Sequence, residues 1–114
     1  MPPTGLEKVY TALGRWEVTG YVTFDARCTE AIRKYLPGYT NKLFAKELYE
    51  HIVESGDLHE QRQPPGDGWE VPFFYYSIPT IAGQRLYVKI ILSEDDDDID
   101  DCATLIVSLH TPSF

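Results

Sequence analysis

The residues best suited to chemistry alternate along two stretches near the C-terminus. They are Arg85, Tyr87 and Lys89 in RLYVKIIL (85–92), and Ser108 and His110 in TLIVSLH (104–110). If both stretches are strands, every second side chain falls on one face. Arg and Lys can hold a phosphate and offset the charge that grows as phosphorus is attacked. His and Tyr can move protons, and His does so near neutral pH with little tuning. Such a set meets the needs of RNA cleavage: a ribose 2′-hydroxyl is activated and a leaving 5′-oxygen is protonated. On that reading His110, Lys89, Arg85 and Tyr87 are the catalytic candidates. The plainer alternative is an antiparallel sheet face that is polar because water covers it.

Further residues can border the same surface. Tyr75 or Tyr76 joins it according to register, and Tyr75 is carried as a substrate-binding candidate together with Ser108, His59 and Arg62. An edge strand in water explains His59 and Arg62 equally well. His51 follows Glu47 by four residues on a helix and reads as an exposed i,i+4 pair. Cys28 and Cys102 have no Cys or His neighbour at metal-ligand spacing and read as structural. No HExxH, CxxC, P-loop or dinucleotide fingerprint occurs, so neither a metal nor an organic cofactor is expected.

Helices and strands must position these side chains. Leu6, Val9, Tyr10 and Leu13 recur at helical spacing up to Gly14, and Trp16, Val18 and Val22 then read as extended. A helix is expected over 26–36, stopped by Pro37-Gly38. A stronger one runs from about Asn41 to Ser55, with Thr40 as N-cap, Gly56 as left-handed C-cap and a stripe of Leu43, Phe44, Leu48, Ile52 and Val53.

From Asp57 the period changes. LHEQRQ (58–63) reads as an edge strand, the Pro64–Gly68 stretch as a loop, and WEVPFFYYSI (69–78) as an aromatic strand bent or edged by Pro72. A turn at 79–84 precedes the last two strands. In these, strict alternation puts Leu86, Val88, Ile90 and Leu92 on one face, and likewise Leu105, Val107 and Leu109. The expected fold is α+β: two to three N-terminal helices on one face of a three- to four-stranded antiparallel sheet. One domain spans 1–114, helical over 1–56 and a β-meander over 57–114, with an acidic hairpin loop at 93–102.

Composition narrows the setting. The 114 residues include 43% hydrophobic and 13% aromatic side chains, which excludes a wholly disordered chain. No apolar run approaches the roughly 18 residues of a membrane span, and the N-terminus shows no signal-peptide pattern. A cytoplasmic protein is the expectation. The net charge of −8 misleads, because Glu94, Asp95, Asp96, Asp97, Asp98, Asp100 and Asp101 stand in one run. Without those 7 of the 18 acidic residues, 11 acidic face 10 basic ones, and the body is nearly neutral. That run has no glycine and no alternating ligands, unlike a calcium loop. It reads as a solvated loop protecting a sheet edge, or as a docking site for a basic partner.

The segments LYEHIVESGDLHEQRQ (48–63), GQRLYVKIIL (83–92) and TLIVSLH (104–110), separated by an aromatic strand, resemble the RelE-like superfamily of small toxins over residues 41–110. The likeness is to the branches around MqsR and BrnT, and LEKVYTALGRWEVT (6–19) is similar to the first MqsR helix. The resemblance implies an mRNA interferase of a toxin–antitoxin pair, with a protein antitoxin as partner. It implies function on the face bearing Lys89, Tyr87, His110 and Arg85. The neutral body and the acidic insertion depart from the family's basic character. The alternative is a non-catalytic interaction module on the same fold, an antitoxin, immunity or accessory protein. It would bind through the acidic loop or an aromatic edge containing Trp69, Phe73 or Phe74.

Overall fold

The computed structural model describes residues 2–64, 66 and 71–112. Helix α1, Gly5–Gly14, begins in a capping box: Thr4 Oγ1 accepts the Glu7 N–H at 3.2 Å, and the Glu7 carboxylate accepts the Thr4 N–H at 3.3 Å. Short strand β1, Val22–Phe24, leads through the Asp25 N-cap into α2, Ala26–Tyr35. Thr40 caps α3, Asn41–Ser55, and Gly56 ends it at φ 70°, both as the sequence predicts. The strands β2 (His59–Arg62), β3 (Phe73–Ser77), β4 (Thr80–Ile81), β5 (Gln84–Arg85), β6 (Tyr87–Glu94) and β7 (Ala103–His110) follow. The predicted Pro64–Gly68 loop and the start of the 69–78 strand, with Trp69, lie mostly outside the described residues.

The class is α+β, with the helices N-terminal as expected, but the sheet is larger and mixed. Its order is β1-β7-β6-β3-β2, with β1 parallel to β7 and the other pairs antiparallel. Three residues carry too short a period to announce a strand. β1 is held instead by Tyr21 O, which accepts the Thr104 N–H, and by the Asp25 N–H, which donates to Ile106 O. Of the stretch expected to be extended after Gly14, Val22 alone belongs to a strand.

Strands β4 and β5 form a separate ribbon, where a turn alone was predicted. Ala82 and Gly83 take φ of 51° and 81°, the double left-handed turn that matches hairpin twist.

All three helices cover one sheet face. Val9, Leu13, Ile32, Leu36, Phe44 and Leu48 pack there against Val88, Ile90, Ile106 and Leu109. Leu43 and Val53, assigned to the α3 stripe from sequence, are 37% and 51% exposed, and Ala45 is buried instead. A smaller cluster of Phe74, Ile91 and Val107 lies on the opposite, outer face.

A bulge explains how β7 serves both faces. Lys89 pairs with Ser108 but Ile90 with Ile106, so Val107 is the extra residue. Ile106 and Leu109 therefore both face the helices, while Val107 turns outward. The strict alternation expected for Leu105, Val107 and Leu109 fails at this point, since Leu105 and Val107 belong to the outer cluster. Ser108 and His110 keep their predicted outer positions.

The acidic run is not simply a solvated loop. Lys8 pairs with Asp95 at 2.6 Å, and Arg15 pairs with Asp100 and also donates to the Asp100 carbonyl at 3.0 Å. Lys8 stands on α1 and Arg15 caps its C-terminus, and together they hold the 3₁₀ turn Ile99–Asp101 against the helix. Among the described residues no helix is long and apolar enough to cross a membrane.

Candidate functional site

Four strands each place one aromatic residue on the outer face, in a line that steps diagonally from Tyr76 to Tyr87. His59 pairs with Tyr76, Tyr76 lies beside Lys89 of β6, and Tyr87 pairs with His110. The rings form a ladder: His59–Tyr76 centroids are 5.0 Å apart, Tyr76–Tyr87 5.8 Å at 20°, and Tyr87–His110 5.1 Å at 24°. The two pairs made by Tyr87 are stacked, and His59–Tyr76 is tilted at 34°. Tyr76 and Tyr87 are half-buried, whereas the terminal histidines are exposed. The Lys89 ammonium lies 4.3 Å from the Phe74 ring centroid, a cation–π contact that leaves its charge on this face. Ser108 is directly across from Lys89.

Each terminal histidine is tethered through one nitrogen. His110 Nδ1 lies 2.8 Å from the Thr111 carbonyl, which can only accept, so Nδ1 donates and Nε2 keeps a lone pair when the ring is neutral. His59 Nε2 lies 2.8 Å from Asp57 Oδ1. An ionised carboxylate also only accepts, so Nε2 donates there and Nδ1 is the basic nitrogen.

Asp57 is a hub. Gly56 ends α3 in the left-handed conformation, and the next residue directs its carboxylate at three elements. Oδ2 accepts from His51 Nε2 at 2.8 Å, Ser77 Oγ at 3.2 Å and the Ile78 N–H at 2.8 Å. Burial pushes the carboxyl upward, but the bonds from His51, Ile78, His59 and Ser77 outweigh it and hold it at about 2.

The residues singled out from sequence fall into two groups. His110, Tyr87, Lys89, Ser108 and His59 share the outer face. Tyr75 does not: it is 3% exposed, faces the helices and donates to Glu60 at 3.0 Å. Tyr76 takes the place assigned to it, because a one-residue difference in register reverses the face. Arg62 also belongs to the helix-side register, over the Phe73 ring at 5.8 Å. Arg85 is exposed on the β4–β5 ribbon, off the five-stranded sheet.

His51 turns to Asp57 and not to Glu47 as the i,i+4 spacing implies. Cys28 is buried, and that burial pushes its thiol up to about 11. Cys102 is fully buried, its Sγ donating to the Asp96 carbonyl at 3.3 Å. Both are packed side chains, in keeping with the sequence reading.

Two features escaped the sequence: the continuous ladder and the Asp57 hub. Asp57 and His59 are two residues apart in the chain, but only the fold brings His51 and Ser77 to the same carboxylate. Among the described residues no cluster of three His, Cys, Asp or Glu side chains is arranged to hold a metal. Comparison with protein-family models, with curated proteins and with solved structures finds no match.

Proposed function

We propose that the outer sheet face binds single-stranded RNA and cleaves it by protein acid–base chemistry, the protein being a RelE/MqsR-like mRNA interferase with a protein antitoxin as partner in the cytoplasm. One observation carries the reading: the ladder His59–Tyr76–Tyr87–His110, with Lys89 and Ser108 continuing the row of His59 and Tyr76. Aromatic platforms on open sheets accept bases regardless of sequence, and a neighbouring cation attracts the backbone.

In the reaction, Nε2 of His110 takes the proton of a ribose 2′-hydroxyl, whose oxygen attacks the adjacent phosphorus. Lys89 offsets the charge gained by the phosphoryl oxygens. The bond to the 5′-oxygen breaks, and the imidazolium returns the proton to it, giving a 2′,3′-cyclic phosphate and a free 5′-hydroxyl. His59 belongs to substrate binding here. It lies three strand spacings and a two-residue step from His110, on the order of 16 Å, too far to serve the same phosphodiester. Arg85, on its ribbon, is assigned no step.

The test is induced expression of the wild type beside Lys89→Ala/His110→Ala, together with purified protein on a single-stranded RNA oligonucleotide. Growth arrest and transcript cutting by the wild type alone are expected, with cleavage reduced on the order of 10²–10⁴-fold in the variant. Equal cleavage by both, or none by soluble wild type, overturns the proposal.

The second reading, a non-catalytic interaction module, draws its support from elsewhere. Phe74 is buried and Phe73 half-buried, and Trp69 lies outside the described residues, so the aromatic edge gives it no support. Leu6 and Tyr10, exposed on α1, do.

A further inference from the structure

On the side away from the ladder, α1, the end of α3, the segment leading into β2 and the 3₁₀ turn line an open groove of about 460 Å³. Its walls include Leu6, Tyr10, Ile52, Leu58 and Ile99, with Glu7 also lining it from α1. Leu6 and Tyr10 are 37% and 40% exposed, although both belong to the apolar stripe that starts α1. Standing four residues apart on one helix, they form the kind of ridge against which another helix packs.

The fourth wall is the acidic run. Lys8 and Arg15 fix it to α1 through Asp95 and Asp100, which brings Ile99 into the groove. Those two pairs leave acid over. Asp97 and Asp101, each two residues from Ile99, are exposed and make no ion pair among the described residues. The groove is thus lined mainly by apolar side chains, the segment that contributes Ile99 carries exposed acid on either side of it, and Glu7 adds charge on the α1 side.

From this juxtaposition we infer that the groove binds a basic amphipathic helix of a partner protein, one that presents large apolar side chains at i, i+3 or i+4, flanked by Lys or Arg. The apolar anchors fill the space over Leu6, Tyr10 and Ile99, and the cations meet Asp97, Asp101 and Glu7. The surface is independent of the ribonuclease face. It gives the acidic run a purpose that a solvated hairpin loop lacks: the turn is pinned, and its apolar residue is presented.

The test uses the isotope-labelled full chain and three synthetic helical peptides: leucine/lysine, leucine/glutamate and serine/lysine. Saturable binding of the leucine/lysine peptide is expected, with amide shifts at Leu6, Tyr10, Leu58 and Ile99 and none at Tyr76, Tyr87 or His110. Leu6→Gln should weaken it roughly tenfold. Asp97→Asn/Asp101→Asn should weaken it several-fold and flatten its salt dependence. Should Leu6→Gln fail to fold, Thr11→Lys on the same wall carries the test by repelling the cations.

Equal binding of the glutamate or the serine peptide overturns the inference, as does binding that the folded variants leave unchanged. A monomer–dimer equilibrium abolished by the groove variants would assign the groove to a second copy of this chain and likewise overturn it.

Discussion

Tyr87 and His110 are directly paired across β6 and β7, and their rings stack at 5.1 Å and 24°. The pair depends on the bulge at Val107, because β7 must send Ile106 and Leu109 to the helices and still deliver His110 to the outer face. Tyr87 in turn stacks on Tyr76, so the histidine is braced from one side and tethered by Thr111 from the other. On the proposed role of His110 as general base, its orientation is set before substrate arrives.

Replacing the ladder's central rings should therefore separate binding from chemistry. Tyr76→Ala is expected to weaken single-stranded RNA binding by about 1–3 kcal/mol, the range for loss of one stacking ring. Tyr87→Ala should do the same and also slow cleavage, because His110 loses its brace. Tyr87→Phe keeps the ring and should stay near wild type in both. Fluorescence anisotropy with a labelled oligonucleotide, followed by single-turnover cleavage, measures the two effects apart. A Tyr87→Phe variant as impaired as Tyr87→Ala would assign the effect to the phenol and not to stacking.

Asp57 should govern the acid limb of stability. Its carboxyl titrates at about 2 in the folded chain against an ordinary 3.8. A depressed carboxyl pKa stabilises the fold fully above the unfolded value, and that contribution is lost as pH falls from near 4 through 2. The carboxylate is partly open to solvent, with 23% of its side chain exposed, so the screened contribution is on the order of 1–2 kcal/mol. Asp57→Asn should lower the unfolding free energy from urea denaturation at pH 7 by that amount and show a shallower decline between pH 4 and pH 2. Parallel acid limbs for the two proteins would refute the hub.

Much of this architecture was legible because its signals are local. The Thr40 and Gly56 caps, the α3 span and the inward run Leu86, Val88, Ile90 each follow from a few neighbouring residues. What escaped depends on distant partners. Three residues of β1 acquire strand character from β7, Val107 becomes a bulge through its pairing with β6, and Tyr75 and Tyr76 are told apart by register alone. The candidate site divides in the same way. His110, Tyr87 and Lys89 share a face by simple alternation, whereas Asp57 gathers its donors from α3, β2 and the end of β3.

Gly5 is expected to be intolerant of a side chain. A Cβ there would lie 1.9 Å from the Tyr75 hydroxyl and 2.8 Å from Glu60 Oε2. Tyr75 is buried and hydrogen-bonded, so it cannot swing away cheaply. Gly5→Ala should cost about 1–3 kcal/mol, the usual range for overpacking, despite alanine's better helix propensity. Removing the hydroxyl with Tyr75→Phe should recover part of that loss. The double-mutant cycle by chemical denaturation detects this as a coupling of opposite sign to the single costs. Strict additivity would show that the first turn of α1 moves instead.

The pins of the acidic turn should matter for position more than for stability. Exposed ion pairs contribute about 0–1 kcal/mol each, and salt screens them. Asp95 and Asp100 are 60% and 63% exposed, so Lys8→Gln/Arg15→Gln should lower the melting temperature by only a few degrees. That difference should shrink further as salt rises. Release of the turn should nevertheless be large locally, because Arg15 and Tyr21 both donate to the Asp100 carbonyl and Arg15 supplies the stronger, charged bond. Amide hydrogen exchange at 95–102 should rise by at least tenfold in the double variant, while β6 and β7 keep their protection. Exchange unchanged across the turn would mean that Cys102 and the Asx bonds from Asp96 and Asp98 hold it without α1.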